Sequence, residues 1–444
     1  MTEKSRTVGL MTVGCKLNQY ETEGVAERLE ERGFVVVPFD GPADVYVVNT
    51  CTVTGRSDYR SRQMLRRAAR KGGGALIVAT GCYAQREPDA LAAMPEVNLV
   101  VGNGFKRDLA GLVVERLCSD AGGSGETRIE VRPIRNEAFE AFDIKQFRGY
   151  TRAFIKIQDG CDNRCTYCAV PGARGPARSR RFDDVLEQAS LLVANGYREI
   201  VLTGVHIGAF ADPDGHRLPE LLRALAEIDR LVRLRLGSVE PRELTPELAA
   251  TILQTVKVCN HLHVPLESGS DAVLERMGRR YTRAEYAEAV RRVTDADPLC
   301  GLGTDVMVAF PGETEEDFAD TVSLIESLPY TYLHVFAFSP RSGTPAAEMD
   351  GRVPAAESKR RSLHLRELGS RLSLRFRRNL VGKSLEILVE ERVGTEGSLT
   401  GLTSNYVRVG AEGDPSLRNK FVGVTVRQAD ETSTRGDIDP GSAR

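Results

Sequence analysis

No stretch of this sequence approaches the roughly 20 consecutive apolar residues that span a bilayer. The N-terminal segment MTEKSRTVGLMTVGC also lacks the apolar core of a signal peptide. Together these absences set aside a membrane protein and a secreted one, and a cytoplasmic location is expected. Excess charge of either sign is missing too: 60 Lys and Arg stand against 62 Asp and Glu, a formal net charge of -2. That balance argues neither for nor against a nucleic-acid partner, so local charge is the better guide. Cysteine is sparse, at nine in 444 residues. In a reducing compartment nine cysteines do not form a disulfide framework, so clustered ones read as metal ligands or reactive thiols. What is present, 41% hydrophobic and 27% charged residues, is the composition of a globular protein long enough for two or three domains.

The first hundred residues alternate short apolar runs with helical patterns, as a parallel sheet flanked by helices does. TVGLMTVG precedes a helix from about Asn18 to Gly33, DVYVVNT one from about Arg56 to Lys71, and ALIVATG a shorter one near Asp89. VNLVVG is expected to close this unit, and CSDAGGSGETR reads as a surface linker. A second series starts after Arg152, with strands AFIKIQD, EIVLTGV, VRLRLGSV, HLHVPLE, GTDVMVAF and YLHVFAF separated by amphipathic helices. Such a series suits a partial (β/α)6 barrel, in which chemistry sits at the C-terminal ends of the strands. The closing stretches LEILVEE, GSLTGLTSNYVRVG and NKFVGVTVRQA alternate apolar and polar positions between Gly-containing turns, the pattern of a small antiparallel β-barrel. The expected fold class is therefore α/β, with an open parallel sheet, a partial barrel and a terminal β-barrel. The expected boundaries are 1–118, a linker and approach over 119–148, 149–378, and 379–444.

The strongest chemical signal is GCDNRCTYCAVPGARG. Cys161, Cys165 and Cys168 have the spacing C-x3-C-x2-C directly after the first barrel strand. Thiolates this close hold three irons of a 4Fe-4S cluster and leave the fourth open to a ligand. Structural zinc is the alternative, but it normally takes a fourth Cys or His, and none lies nearby. Cys15, Cys51 and Cys82 each end an apolar strand, in TVGC, VNTC and ATGC. One strand-end cysteine is more often a packing residue than a ligand. Three at equivalent strand ends of an open parallel sheet converge on one crevice, and a second cluster with one open iron becomes the leading reading. Cys118, Cys259 and Cys300 have no such pattern and read as non-ligands. His261 and His263 alternate along a strand and suit hydrogen bonding or packing better than metal binding.

The C-x3-C-x2-C loop at the start of a partial barrel resembles the radical S-adenosylmethionine superfamily. With the three strand-end cysteines and the terminal barrel, the whole chain resembles the methylthiotransferase family. The resemblance implies two 4Fe-4S clusters, ligated by Cys15, Cys51 and Cys82 and by Cys161, Cys165 and Cys168. It also implies two S-adenosylmethionine molecules, one a methyl donor and one a radical source, and an electron donor such as a flavodoxin or ferredoxin. The terminal barrel resembles the TRAM domain, an RNA-binding module. GCKLNQYETE, VLTGVHIGAF, RLRLGSVEP, HLHVPLESGSDAVLERMGRRYT and HVFAFSPRSGTPAA look most like the branch that methylthiolates C2 of N6-threonylcarbamoyladenosine at position 37 of tRNA. The branches that modify N6-isopentenyladenosine or a ribosomal-protein aspartate remain alternatives, as does a non-catalytic iron-sulfur RNA-binding protein.

By the same resemblance, Tyr167 touches the adenine of S-adenosylmethionine, and the strand-end residues Gly204, Glu240, Glu267 and Ser268 line that cofactor. The family usually has LQSGS where this chain has LESGS, and an ionised Glu267 only accepts hydrogen bonds where an amide also donates. An ion pair with a rim arginine is the competing role for Glu240 and Glu267. The basic stretches ARGPARSRR and KRRSLHLRELGSRLSLRFRR fit an anticodon stem-loop partner, whose phosphates they would neutralise. Residues 352 to 383 hold ten Lys or Arg against two Glu.

Overall fold

The computed structural model describes residues 5–119, 126–135, 138–390 and 398–444. The centre of the Gly- and Ser-rich stretch read as a linker lies outside the described residues. The chain forms two compact units, one of Met1–Gln146, Lys156–Arg180 and Ser339–Ala347, the other of Phe147–Ile155, Arg181–Phe338 and Glu348–Arg444.

The first unit is built on a parallel sheet of β1 (Thr7–Thr12), β2 (Val35–Val37), β3 (Val45–Thr50), β4 (Leu76–Gly81), β5 (Leu99–Val101) and β6 (Arg128–Glu130). Its strand order is β2-β1-β3-β4-β5-β6. VYVVNT and LIVATG are buried at every position, because helices cover both faces of a parallel sheet. The helices are α1 (Lys16–Glu30), α2 (Gly55–Lys71), α3 (Cys82–Arg86), α4 (Pro88–Ala92) and α5 (Leu109–Ser119). Tyr46, Val48, Ile77 and Ala79 alternate along β3 and β4 to meet Leu65 and Ala68 of α2 and Leu91 of α4. The chain runs outward from β1 to β2 and then returns to β3 on the other side. The topological switch therefore lies between β1 and β3, where open α/β sheets bind their ligands. VNLVVG does not close the sheet as expected, since β6 pairs beyond it. Three-residue edge strands such as β2 and β6, both partly exposed, leave little periodic signal to read.

Also in the first unit are β8 (Gln158–Asp159) and β9 (Arg178–Ser179), an antiparallel pair, with α6 (Val170–Arg174) between them. They are preceded in the chain by β7 (Ala153–Lys156).

In the second unit, α7 (Phe182–Ala194) leads to β10 (Glu199–Thr203), α8 (Leu218–Ala226), β11 (Arg233–Leu236) and α9 (Pro246–Gln254). β12 (His261–His263), α10 (Asp271–Arg276), α11 (Arg283–Thr294), β13 (Gly301–Val308), α12 (Glu315–Glu326) and β14 (Tyr330–Ala337) complete the series. β7, β10 and β11 form one sheet and β12, β13 and β14 another. A parallel bridge between Ser238 and His263 joins them, which gives the expected partial barrel of six strands. Thr245, Ser270, Thr282 and Thr314 cap helices α9 to α12 through their hydroxyls.

The long helix α13 (Ala355–Arg378) buries the expected stripe Leu365, Leu368 and Leu372. After it, β15 (Ser384–Val389), β16 (Ser398–Thr403), β17 (Arg408–Glu412), β18 (Phe421–Ala429) and β19 (Thr434–Ile438) close into a barrel in the order β15-β16-β17-β19-β18. Arg235, fully buried, donates to the carbonyls of Thr403 and Ser404 while paired with Glu199 at 2.9 Å. It thereby fixes the β16–β17 turn against the strands of the partial barrel. Among the described residues no helix is long and apolar enough to cross a membrane.

Candidate cluster and cofactor sites

Cys15, Cys51 and Cys82 follow β1, β3 and β4, which are adjacent and in register: Thr12 pairs with Asn49, and Asn49 with Thr80. Cys15 is the N-cap of α1 and Cys82 the first residue of α3. Gly14, at φ +112, brings the backbone so near Cys51 that a Cβ there would lie 2.7 Å from Cys51 Cβ. Cys15 keeps an exposed edge but lies within the crevice. Desolvation raises its thiol, Arg174 opposes that shift, and Cys82 adds to it. Burial likewise pushes Cys51 up to about 11, with smaller contributions from Cys82 and Cys15. The three sulfurs thus act on one another across one crevice. Binding a metal removes the protons that this crowding holds in place.

A buried polar network supports the crevice from below. Asn18 Nδ2 donates to the carbonyls of Val13 (2.8 Å) and Thr50 (3.0 Å), pinning the ends of β1 and β3. Arg174 Nη2 donates to Asn18 Oδ1 at 2.8 Å, and Arg174 Nη1 to Glu21 Oε1 at 2.8 Å and Asp159 Oδ1 at 3.0 Å. Lys106 Nζ reaches Glu21 Oε2 at 2.5 Å, and Lys156 Nζ reaches Asp159 Oδ2 at 3.0 Å. Burial alone would raise Glu21, but Arg174, Lys106 and Lys156 hold it well below the usual carboxylate range. The sequence reading missed Asn18, Glu21, Lys106, Lys156, Asp159 and Arg174. The available signal was KLNQYETE, in which Asn18 and Glu21 stand one turn apart on a helix that has to bury them.

Cys161, Cys165 and Cys168 lie on the loop between β8 and α6, half-buried. The backbone N–H groups of Asn163 and Val170 point at the sulfurs of Cys161 and Cys168, each at 3.4 Å, the kind of contact that tunes cluster thiolates. Gly160 (φ +70) starts this loop where a Cβ would lie 1.9 Å from the Pro176 carbonyl oxygen. Tyr167 sits in the turn between Cys165 and Cys168, also half-buried.

Both trios suit a cluster better than one ion. A tetrahedral zinc with Zn–S near 2.3 Å holds its sulfurs about 3.8 Å apart. Among the described residues, the group of His, Cys, Asp or Glu ligand atoms lying within 4.8 Å of one another is His263, Asp305 and His334, and neither cysteine trio. Three thiolate donors are the ligand type that a four-iron cluster takes. Burial raises the Cys259 thiol and pushes Cys300 up to about 12.

At the strand ends of the partial barrel, Gly204 follows β10 directly and is half-buried. Glu240 is ion-paired with Arg279, the competing role considered for it. Glu267 has φ +61, and its backbone bonds with Asp305 and Met307 of β13. Ala309, just past β13, is also left-handed at φ +61. Non-glycine residues in this region store strain, which concentrates at functional sites. Ser268 is fully buried, its hydroxyl 3.3 Å from Thr321 of α12 and accepting from the Ser270 N–H. A close contact between His206 Nε2 and the Glu243 carboxyl was not anticipated.

The basic stretches are only partly available to phosphates. Arg174 and Arg180 of ARGPARSRR are each 3% exposed, and Arg174 is committed to carboxylates. On α13, Arg361 is buried against Glu313, Glu315 and Glu357. Lys359, Arg366, Arg371, Arg375 and Arg378 remain exposed on that helix.

Comparison with known proteins places this arrangement. The Radical SAM superfamily matches residues 155–325, and the family described as Uncharacterized protein family UPF0004 matches residues 7–102. Threonylcarbamoyladenosine tRNA methylthiotransferase MtaB of Bacillus subtilis (strain 168) is 38% identical over 428 residues, covering 95% of this chain and 94% of the relative. The chain belongs to the radical S-adenosylmethionine methylthiotransferase family. The Thermotoga maritima protein of the same name is 37% identical over 91% of each chain. The tRNA-2-methylthio-N(6)-dimethylallyladenosine synthase of Carboxydothermus hydrogenoformans is 35% identical over 96% of this chain and 98% of its own. Among solved structures, the radical S-adenosylmethionine methyltransferase TsrM from Kitasatospora setae, with cobalamin and a 4Fe-4S cluster bound, superposes with TM-score 0.55. It is 18% identical and covers 78% of this chain and 77% of its own, a likeness of fold alone. This methylthiotransferase is accordingly an enzyme that uses iron-sulfur and S-adenosylmethionine chemistry.

Proposed function

We propose that this enzyme inserts a methylthio group at C2 of N6-threonylcarbamoyladenosine at position 37 of transfer RNA. One 4Fe-4S cluster is held by Cys15, Cys51 and Cys82, and a second by Cys161, Cys165 and Cys168. The observation that carries the reading is the pair of cysteine trios in one chain, one at adjacent strand ends and one on the loop between β8 and α6. When bound, the first cluster would supply sulfur, and the second, with S-adenosylmethionine and an electron from the reductant, would supply a 5'-deoxyadenosyl radical.

The chain's own residues hold and shield. Arg174 places a fixed positive charge near Cys15, which opposes the rise that burial gives its thiol. Tyr167 offers a ring face to an adenine, and Gly204 and Glu267 line the mouth of the barrel. The exposed cations of α13 approach phosphates, and an anticodon loop presents its bases out of the stack at low cost. A flavodoxin or ferredoxin is the proposed reductant. Dimethylallyladenosine tRNA is the second reading, favoured by a relative of that activity at 35% identity over 96% of this chain. Anaerobic reconstitution tests the two-cluster assignment. Roughly eight irons per chain are expected, falling to about four when Cys15, Cys51 and Cys82 become Ala. A wild type that fills to four and loses nothing on that substitution contradicts it.

A further inference from the structure

A chain of polar rings lies on the inner face of β12, β13 and β14. Tyr286 of α11 donates to the Val264 carbonyl and lies 3.4 Å from Thr304 Oγ1, so Thr304 faces the helical layer. Asp305, next along β13, points the opposite way, into the barrel. Asp305 pairs in register with His334, and Gly303 with Tyr332. At Gly303 a Cβ would lie 1.9 Å from Tyr332 Cζ, so glycine is what lets the tyrosine ring cross the strand. The Tyr332 hydroxyl then bridges His261 Nε2 (2.9 Å) and His263 Nδ1 (3.1 Å). His263 Nε2 lies 3.2 Å from Asp305 Oδ2, and His334 Nδ1 lies 3.1 Å from Asp305 Oδ1.

The inner end of this chain is sealed, since His261 is 2% exposed and stacks on Tyr406 at 4.3 Å. The other end is open. The His334 side chain is 53% exposed and that of Asp305 31%. Phe336, next on the same face of β14, is 43% exposed. Tyr332 and His334 also line a recess of about 620 Å³, together with Arg377, Arg408 and Arg435. That volume suits a nucleoside-sized group, and the arginines bring positive charge to it, although Arg408 is paired with Glu390 and Glu431 lines the same recess.

We propose that His334 and Asp305, held by His263 and Tyr332, are the residues that select a polar, carboxylate-bearing substituent on the substrate adenine and reject an apolar one. This deepens the substrate reading above and rests on it. A threonylcarbamoyl group brings ureido N–H and hydroxyl donors for Asp305 and for His334 Nε2, which accepts while Nδ1–H faces Asp305, and a carboxylate for the arginines. A dimethylallyl group brings none of these and strips water from the His334–Asp305 pair without replacing it. Sites built to hydrogen-bond a ligand reject the analogue lacking those groups by factors of roughly 10⁴ to 10⁵.

The test compares kcat/KM for tRNA carrying threonylcarbamoyladenosine with that for tRNA carrying dimethylallyladenosine, in wild type, His334→Phe and Asp305→Asn. Iron content and thermal midpoint report whether each variant is folded and loaded. His334→Phe keeps a ring at an exposed position, and Asp305→Asn is isosteric. The preference for the threonylcarbamoyl substrate is expected to fall by about 100-fold or more in either variant. A wild-type threonylcarbamoyl preference that both variants retain overturns this inference alone. A wild type that prefers the dimethylallyl substrate overturns the substrate reading itself. A stoichiometric divalent ion other than cluster iron, lost on Asp305→Asn, assigns the His263, Asp305 and His334 group to metal binding and also overturns the inference.

Discussion

Arg174 Nη1 lies 2.8 Å from Glu21 Oε1, so the helix that follows Cys168 is tied to the helix that follows Cys15. Both side chains are 3% exposed. Removing one partner of such a buried pair strands the other charge, at a cost of about 3–5 kcal/mol. Arg174→Met is therefore expected to destabilise strongly by urea unfolding, and Arg174→Met with Glu21→Gln to cost less than the sum of the single changes. Additive effects would show that the pair is not coupled.

Asn18 links the ends of β1 and β3 through its amide. Asn18→Ala leaves two carbonyls without that donor and is expected to cost about 1–3 kcal/mol. The strand ends that carry Cys15 and Cys51 then separate, so iron is expected to fall from about eight toward four per chain while the radical cluster stays. Full iron content in a folded Asn18→Ala protein would remove Asn18 from the account.

Gly160 combines φ +70 with a Cβ position 1.9 Å from a carbonyl oxygen, whereas Gly33, at φ +83, has nothing within 4 Å. Gly33→Ala is expected to cost about 1 kcal/mol and leave both clusters. Gly160→Ala is expected to displace the loop and abolish the radical cluster's electron paramagnetic resonance signal after reduction. Equal behaviour of the two variants would contradict the close approach.

Acid should weaken the first unit. Burial alone would raise Asp159, but Lys156 and Arg174 lower it to about 2, and Glu21 is held well below its ordinary value. Depressed carboxylates contribute stability that is complete above their unfolded values and is lost as the pH falls through the folded ones. Denaturation midpoints should therefore hold down to about pH 5 and drop between roughly pH 4 and pH 2. In Glu21→Gln that drop should shrink, and an unchanged acid limb would count against the assignment.

The parallel sheet, the partial barrel and the closed terminal barrel were legible in the sequence because their strands are apolar runs at regular spacing. The placing of Cys15, Cys51 and Cys82 after adjacent parallel strands was legible because strand ends are one-dimensional signals. Asn18, Glu21 and Arg174 were not, because a buried ion pair joins residues far apart in the chain and looks in the sequence like an exposed polar helix or a basic patch. ARGPARSRR illustrates this: it reads as a phosphate-binding stretch, yet Arg174 and Arg180 are buried. The Tyr332–His263–Asp305–His334 chain was hidden likewise, since only strand register brings its members together. Of it, the sequence reading anticipated the hydrogen-bonding role of His261 and His263.

The most direct test of the central claim is mass spectrometry of transfer RNA nucleosides from cells with and without this enzyme. The account predicts loss of 2-methylthio-N6-threonylcarbamoyladenosine, with the unthiolated nucleoside accumulating in its place and the dimethylallyl counterpart unchanged. Retention of that nucleoside, with loss of the 2-methylthio dimethylallyl form instead, would contradict it.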